Sequence, residues 1–278
     1  MKRIATIQDI SCLGKCSLTV ALPVISAMGV EACIVPTAVL STHTMFQNYT
    51  FRDLTDDLIP IADHWEKENF HFNAIYSGYL GSERQIQIVK DYFHRFKKGK
   101  TLTVVDPAMG DNGKLYPGFD PEFAKKMGTL CGEADLILPN LTEATFMLGE
   151  PYVESGYDED YIKGLLQRLT ALGAKTAVLT GVSFAPGRIG AMGYTAASGE
   201  YFAYFNEKVD ASFHGTGDIF ASAVVGALMN DFSLEQSLKI AADYTANCIR
   251  ITAADPNGIR YGVYFETLLP ELIQSLGR

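Results

Sequence analysis

The segment His214–Asp218 combines residue types that bind and transfer anions, and it directly precedes the apolar run Ile219–Met229. Gly215 and Gly217 let the backbone turn so that its N–H groups converge, and the apolar run predicts a buried helix whose positive end faces that point. Asp218 falls in the first helical turn, where a carboxylate beside a phosphate could act as a base toward a hydroxyl group. The pattern indicates phosphoryl transfer, although a plain helix start with a dipole-favoured aspartate has the same residues.

A pair of carboxylates brackets a second turn. Asp106 follows the strand-like Thr103–Val105 and is held at the strand's end by Pro107, and Asp111 lies five residues further on. Because Mg²⁺ usually takes only one or two protein carboxylates, this pair could hold a metal ion that also binds phosphate. The structural alternative is that Asp106 accepts N–H groups of its own loop and Asp111 belongs to a turn.

Asn140 and Glu143 open a predicted helix directly after the strand-like Leu136–Pro139. An Asn at the N-cap with an acidic residue three positions later is a capping box, which needs no further function. The alternative is that both side chains face the same metal and phosphate region as Asp106, with Glu143 as an outer partner of the metal.

Aromatic and polar residues also occur together in two segments nearer the N-terminus. His43 and Thr44 follow a predicted strand, Phe46 lies close behind them, and Tyr79 ends another strand. A histidine between hydroxyl residues is commonly a satisfied loop residue. Together, however, the four side chains would form the wall of a pocket for an aromatic ring.

Short β-branched runs alternate with helical patterns, which predicts a mostly parallel sheet with helices on both faces. We predict one α/β domain over residues 1–278, with a late antiparallel hairpin. The predicted strands are Ile4–Gln8, Ala32–Val39, Ala74–Ser77, Leu102–Asp106, Leu136–Pro139, Thr176–Thr180, Ile189–Thr195 and Tyr201–Lys208. Helices are expected near residues 60, 90, 125, 165, 225, 242 and 268, with helical structure from Gly215 almost to Arg278.

Polar residues close several of these strands, and ligands of open parallel sheets collect beyond the carboxyl ends of the strands. The residues concerned are Gln8 and Asp9, Ser77 to Tyr79, Asp106, Asn140, and Thr180 with Gly181. We therefore expect them along one edge of the sheet, facing the anion loop.

The composition excludes several classes of function. The chain has 278 residues, 47% of them hydrophobic, and a net charge of −9, which opposes binding to nucleic acid and to anionic membranes. The five cysteines are scattered, and Cys12 and Cys16 lack a second ligand pair at metal-binding spacing, so neither a disulfide framework nor a cysteine metal site is expected. No signal-peptide pattern follows Met1, and a soluble, cytoplasmic protein is expected.

Taken together and in order, the motifs resemble the pyridoxal kinase family of the ribokinase-like superfamily, over nearly the whole chain. The matching segments are Ile7–Gln8, Ser41–Thr44, Ser77–Ser82, Asp106–Asp111, Pro139–Glu143 and Gly215–Asp218. The resemblance implies a three-layer ribokinase-like fold, a homodimer, and ATP-dependent phosphorylation of the 5′-hydroxymethyl group of pyridoxal, pyridoxamine or pyridoxine. It also implies Mg²⁺ as a cofactor and leaves a requirement for K⁺ open.

The same resemblance assigns the catalytic roles. Asp218 would be the base that takes the proton from the hydroxymethyl group. The backbone N–H groups of Gly215, Thr216 and Gly217 would hold the phosphoryl group during transfer. Such a base typically contributes about 10²–10⁴ in rate.

On the nucleotide side, Asn140 and Glu143 match a motif near Mg²⁺ and phosphate, and Asp106 matches a carboxylate that faces the nucleotide. Thr180–Gly181 match a strand end that contacts the nucleotide. Residues 111–120 match a mobile loop that closes over ATP and excludes water.

On the side of the acceptor, His43, Thr44 and Tyr79 match positions that wall the pyridine pocket. The chain departs from the family pattern beside them, because Asp9 stands where a serine is common and Ser17–Leu18 replace the usual Gly-Asn. A carboxylate would favour a protonated pyridine nitrogen or the amine of pyridoxamine, which predicts an altered preference among the vitamers.

Two other functions remain open. A hydroxymethylpyrimidine (phosphate) kinase shares the fold and chemistry, but those enzymes usually begin with a Gly- and Ser-rich segment in place of Asp9–Gly14. A non-catalytic vitamer-binding or regulatory protein would belong to another class, and the intact Asp218 argues against it. A sugar kinase fits less well, because the aromatic pocket suits a flat ring.

Overall fold

A nine-stranded sheet runs through the centre of the computed structural model, which describes residues 1–277. In chain order the strands are β1 (Arg3–Ser11), β2 (Glu31–Leu40), β3 (Phe51–Asp53), β4 (Ala74–Ser77), β5 (Leu102–Val105), β6 (Gly110–Asp111), β7 (Lys114–Leu115), β8 (Leu136–Ile137), β9 (Thr176–Val182), β10 (Arg188–Thr195) and β11 (Glu200–Glu207). The central sheet has the order β11-β10-β9-β8-β5-β4-β1-β2-β3, and β6 and β7 form a separate antiparallel pair.

The six middle strands of the sheet, from β2 to β9, are parallel to their neighbours. At one side β3 pairs antiparallel with β2, and at the other β10 and β11 continue the sheet as an antiparallel hairpin. The prediction of a mostly parallel α/β sheet with a late hairpin is therefore confirmed.

Helices cover both faces of the sheet. They are α1 (Leu18–Ala27), α2 (Thr55–Lys67), α3 (Glu83–Phe96), α4 (Pro121–Cys131), α5 (Leu141–Leu148), α6 (Glu159–Ala171), α7 (Thr216–Met229), α8 (Leu234–Ala253) and α9 (Leu269–Ser275), with a 3₁₀ turn at Glu266–Leu268. Buried side chains of α2 to α6 form one hydrophobic core with the sheet. Those of α1, α7, α8 and α9 form a second core on the opposite face. The molecule thus has three layers, as a sheet that is apolar on both faces requires.

The structure corrects several predicted boundaries. β1 continues to Ser11, so Asp9 lies inside a strand rather than after it. β8 has only two residues and ends before Pro139, which cannot donate a ladder hydrogen bond. The short edge strand β3 was not predicted, because its three residues are all exposed and show no alternation of apolar and polar side chains. The prediction of helix from Gly215 almost to Arg278 is wrong over residues 254–265, where Pro256 falls in an irregular segment, and Arg278 lies outside the described residues.

The parallel strands bring their carboxyl ends to one edge of the sheet. Asp106 follows β5, and its N–H donates to the carbonyl oxygen of Ser77 at the end of β4 (2.9 Å). Asn140 and Thr180 form a parallel bridge beyond β8. Predicted site residues on neighbouring strands therefore lie side by side, and the register of the sheet places them there.

In the described residues, no helix is long and apolar enough to cross a membrane. The five cysteines are free thiols, of which Cys12 is exposed and Cys16, Cys131 and Cys248 are buried.

At the amino ends of the parallel strands, a single carboxylate links several segments. Asp135, just before β8, accepts bonds from the ammonium groups of Lys97 (2.9 Å) and Lys175 (2.7 Å) and from the N–H of Thr103 in β5 (2.9 Å). Burial alone would raise the pKa of Asp135, but these donors lower it to about 2. The carboxylate thus links β5 to the segments that lead into β8 and β9.

We expect Asp135→Asn to lower the free energy of unfolding at pH 7 by about 2 kcal/mol, since a depressed folded-state pKa stabilises the charged form. That stabilisation is present above the ordinary aspartate pKa and is lost as the pH falls toward the folded-state value. The loss measured by denaturant unfolding should therefore shrink between pH 7 and pH 3. The exposed Asp57→Asn is the matched control, and an equal loss at both pH values would contradict the assignment.

Candidate active site

The anion loop, residues 214–217, approaches the loop that precedes α1 very closely. Gly215 caps α7 with a φ of 78°, and a Cβ at this position would lie 1.8 Å from the carbonyl oxygen of Lys15. At Gly217, in contrast, a Cβ would meet no atom within 4 Å. Gly215 is therefore needed for the fold of the loop, whereas Gly217 leaves open space at the positive end of the helix.

Asp218 lies in the first turn of α7 beside this open space. Burial raises the pKa of its carboxyl group to about 8, and the negative charges of Asp106 and Asp9 add to the rise. The backbone N–H groups of Ser17 and of Asp218 itself hydrogen-bond to the carboxylate and oppose it. A carboxylate with a pKa near neutrality is well suited to accept a proton from a hydroxyl group.

Asp106 and Glu143 are buried together beneath the cleft. The Glu143 carboxylate accepts the N–H groups of Asn140 (2.9 Å) and Met109 (3.0 Å), and the Asn140 side chain accepts the N–H of Glu143 (2.9 Å), so the predicted capping box is confirmed. Asp106 has a single long contact of 3.4 Å from the N–H of Ala108. Burial raises the pKa of both carboxyl groups, and the charge of Glu143 raises that of Asp106 further.

Asp111 lies apart from this buried pair. It is exposed at the β6–β7 hairpin and accepts the N–H of Asn112 (2.9 Å), which is the turn role considered as the alternative. No three histidine, cysteine, aspartate or glutamate side chains of residues 1–277 lie close enough together to hold a metal ion. The predicted metal set of Asp106, Asp111 and Glu143 is therefore not assembled as one cluster, and Asp106 with Glu143 is its compact part.

A cavity of about 490 Å³ joins the anion loop to the carboxyl edge of the sheet. The cavity is lined by all the residues that the sequence predicts for catalysis, nucleotide binding and metal binding, namely Asp106, Asp111, Asn140, Glu143, Thr180, Gly181, Gly215, Thr216, Gly217 and Asp218. The sequence motifs thus meet in one cleft, although they come from four different segments of the chain.

The residues predicted for the ring pocket lie beyond this cavity. The rings of His43 and His214 are 4.6 Å apart, and burial together with His214 lowers the pKa of His43 to about 4, so its imidazole is neutral near pH 7. The Tyr79 ring packs at a tilt against Phe119, with ring centres 5.6 Å apart, and burial, with a contribution from Asp9, raises the pKa of Tyr79 to about 12. Thr44 is exposed and does not line the cavity.

Several residues at the site were missed in the sequence. Lys208 and Arg260 also line the cavity. Lys15 is fixed by an ion pair with Glu266 (2.6 Å) and contacts the anion loop through its carbonyl oxygen. No motif marks these residues, because their roles depend on the approach of distant segments.

Comparisons with known proteins place the chain in a family. The family model of phosphomethylpyrimidine kinases matches residues 19–263. A Bacteroides thetaiotaomicron protein described as a candidate phosphomethylpyrimidine kinase is 40% identical, covers 98% of this chain and 93% of its own, and has a TM-score of 0.93. A second crystal form of that protein contains pyridoxal.

Pyridoxal kinases are similar over the whole length as well. The pyridoxal kinase of Lactobacillus plantarum is 31% identical with a TM-score of 0.89, and the match covers 99% of this chain and 97% of that one. A pyridoxine/pyridoxal/pyridoxamine kinase of Bordetella avium is 24% identical over 264 residues, which are 90% of this chain and 85% of that protein.

The layered sheet and the anion loop at its carboxyl edge define a kinase with the ribokinase-like fold. The chain belongs to the phosphomethylpyrimidine kinase family, and its similarity to pyridoxal kinases confirms the resemblance drawn from the motifs.

We expect Gly215→Ala to lower both stability and phosphoryl transfer, because its Cβ would overlap the Lys15 carbonyl and because the positive φ is strained for alanine. The loss of unfolding free energy should be at least about 1–3 kcal/mol. Gly217→Ala is the matched control for folding, since the added methyl group meets open space. Equal stabilities of the two variants in denaturant unfolding would refute the close approach.

Proposed function

We propose that this kinase transfers the γ-phosphoryl group of ATP to the 5′-hydroxymethyl group of pyridoxal, pyridoxamine or pyridoxine. The observation that carries the proposal is the position of Asp218 directly beside the open N–H groups of the anion loop, in one cavity with Asp106 and Glu143. The pyridoxal kinases among its relatives, and the pyridoxal bound by the Bacteroides protein, support the choice of acceptor.

In this reaction the Asp218 carboxylate accepts the proton of the hydroxymethyl group as its oxygen attacks phosphorus. The N–H groups of Gly215, Thr216 and Gly217 donate to the oxygens of the transferred group, at the positive end of α7, where developing negative charge is stabilised. Positioning and charge neutralisation supply most of the acceleration in phosphoryl transfer, and the base adds to them. Because the loop is fixed against Lys15, the donors are preorganised.

In this proposal the nucleotide occupies the part of the cavity that is lined by Thr180, Gly181 and Asn140. Thr180 and Gly181 lie near the carboxyl end of β9 and line the cavity, and Asn140 is held beside them by a hydrogen bond from its amide nitrogen to the carbonyl oxygen of Gly110 (2.8 Å). Lys208 and Arg260 supply positive charge for the phosphate groups. The β6–β7 hairpin lies at the mouth, where the sequence predicts a loop that closes over ATP.

The residues present fit a divalent cation. Asp106 is buried with a single long hydrogen bond beside a second carboxylate, and this is an arrangement that a cation would stabilise. Asp106 and Glu143 would hold Mg²⁺ directly or through water, with Asp111 close to the mouth of the cavity. Bound there, Mg²⁺ would neutralise charge on the phosphate oxygens. Asp106 and Glu143 would position the cation, and neither of them takes the proton of the acceptor, which is the role of Asp218.

A hydroxymethylpyrimidine (phosphate) kinase is the second candidate. It is favoured by the description of the matching family and of the Bacteroides protein. Both reactions use the same base and anion loop, so the acceptor alone separates them. A requirement for K⁺, assembly as a homodimer and a cytoplasmic location stay predictions from the sequence.

We expect the purified protein to form the 5′-phosphates of the three vitamers with ATP and Mg²⁺, and we expect Asp218→Asn to lower kcat about 100-fold or more while leaving the KM for ATP nearly unchanged. Product formation measured by chromatography, with hydroxymethylpyrimidine as a parallel acceptor, tests both statements. Because the base must be deprotonated and its pKa is raised to about 8, kcat should fall as the pH drops below that value.

The exposed Asp57→Asn serves as the control for this substitution. A near-normal kcat for Asp218→Asn would rule out its role as the base. Turnover of hydroxymethylpyrimidine alone would replace the proposed acceptor by the second candidate. Absence of turnover with every acceptor would favour a binding or regulatory protein.

We expect chelation by EDTA to abolish turnover and Asp106→Asn to raise the Mg²⁺ concentration needed for half-maximal activity about tenfold or more, since one of two carboxylate ligands is lost. The measurement is a Mg²⁺ titration of initial rate at saturating ATP. Asp111→Asn is the informative comparison, because an exposed carboxylate should shift the titration less. Equal shifts for the two variants would show that the cation is not held by the buried pair.

A further inference from the structure

Lys15 lies between the anion loop and a segment near the end of the chain. Its carbonyl oxygen is the atom that a Cβ at Gly215 would overlap, so the anion loop packs directly on the backbone of this residue. Its side chain contacts residues 262–266, and a Cβ at Gly262 would lie 2.4 Å from the Cβ of Lys15. One residue thus touches two distant segments, and neither contact leaves room for an added side chain.

The ammonium group of Lys15 is held on several sides. It forms an ion pair with the Glu266 carboxylate (2.6 Å) and lies over the rings of Tyr264 and Phe265, 5.3 and 5.4 Å from their centres. Only 16% of the Lys15 side chain is exposed, against 50% of that of Glu266. Exposed ion pairs hold their partners loosely, whereas this pair is confined by burial and by two aromatic rings. These contacts restrict the lysine side chain to one position.

The partners of the ammonium group are themselves anchored to α8. The carbonyl oxygen of Phe265 accepts the hydroxyl group of Tyr244 (2.8 Å), and the N–H of Tyr264 donates to the hydroxyl oxygen of Thr252 (2.8 Å). Phe265 is buried in the second hydrophobic core. Lys15 therefore joins the anion loop to a well-packed part of the fold.

The loop that carries Lys15 also contacts other parts of the site. The N–H of His43 donates to the carbonyl oxygen of Leu13 (2.8 Å), and the His43 ring lies 4.6 Å from the ring of His214 in the anion loop. Arg260, which lines the cavity, directly precedes the segment that packs on the Lys15 side chain. A change at Lys15 would therefore be transmitted to the cavity from more than one side.

We propose that Lys15 is a positioning residue for phosphoryl transfer, because its fixed side chain holds the backbone on which the anion loop packs. Lys15 does not line the cavity, so it acts through Gly215, whose N–H is one of the proposed donors to the transferred group. Donors that are fixed in advance need no rearrangement during the reaction, whereas a displacement of about 1 Å can slow it strongly. The inference rests on the proposed function, since it concerns the donors of that reaction.

The test begins with Lys15→Met, which keeps an unbranched side chain and removes its charge. We expect kcat to fall about tenfold and the KM for ATP to stay within about twofold, because the donors are displaced rather than lost. Glu266→Gln should cause a comparable loss, and the double variant should lose no more than either single one, since both break the same ion pair. Lys15→Arg should restore most of kcat. Initial rates with the acceptor that wild type phosphorylates give these values.

Lys163 on α6 provides the matched control. It pairs with Glu159 (2.7 Å) and lies over the ring of Tyr201 (5.4 Å), but it does not line the cavity and belongs to a helix on the opposite face of the sheet from α7. Lys163→Met should therefore leave kcat unchanged. A loss of kcat in Lys15→Met that Glu266→Gln does not share would assign the effect to the ammonium charge itself and overturn the positioning role.

Hydrogen exchange of the backbone amides of residues 214–217 gives a readout that needs no turnover. We expect faster exchange of this loop in Lys15→Met and Glu266→Gln, while the central sheet keeps its wild-type rate, and no change in Lys163→Met. Faster exchange, combined with no phosphorylation of any acceptor by wild type, would sustain the role of Lys15 in holding the loop and overturn the proposed function. Unchanged exchange, or an unchanged kcat in both variants, would overturn the inference while the kinase activity stands. If Lys15→Met does not fold, Glu266→Gln decides, because the Glu266 side chain is half exposed.

Discussion

The site is built on buried negative charge that the protein itself does not neutralise. Asp9, Asp106, Glu143 and Asp218 reach the carboxyl edge of one sheet, where burial raises the pKa of every one of them. Desolvated carboxylates without cations are among the most costly groups that a fold can contain. The two hydrophobic cores on either face of the sheet must supply the stability that holds them in place. The roles of the four carboxylates differ according to the hydrogen-bond donors that surround each of them.

The four carboxylates differ in what the backbone offers them. Glu143 receives N–H groups from its own helix cap and from Met109, which satisfies it structurally and ties the β6–β7 hairpin to α5. Asp106 receives one long bond, which leaves it available to a cation. Asp218 lies between these extremes, with two backbone donors and an open side toward the anion loop. Two carboxylates in similar surroundings can thus take different roles, because the donors around them push their protonation equilibria differently.

Local motifs were the predictable part of this structure. The capping box at Asn140, the glycine turn before α7 and the aspartate that follows β5 depend on residues close in sequence, and all three appear where the sequence predicts them. The remainder depends on distant segments. No sequence pattern near Lys15 predicts that its carbonyl oxygen lies close to Gly215, two hundred residues away. The bulge at Asp9 likewise depends on the register of β1 against β2. Such features follow from tertiary packing, which overrides local patterns.

The same charges couple ligand binding to stability. A carboxyl group whose pKa is raised in the folded state binds its proton more tightly there than in the unfolded chain. The free energy of unfolding therefore falls as the pH rises from the ordinary aspartate value of 3.8 toward about 8, the value reached by Asp218. Cations and amines that bind only the folded cleft act in the opposite direction, because they favour the charged carboxylates and stabilise the fold by mass action. The arrangement that weakens the empty protein at neutral pH is thus the one that gives its ligands their binding energy.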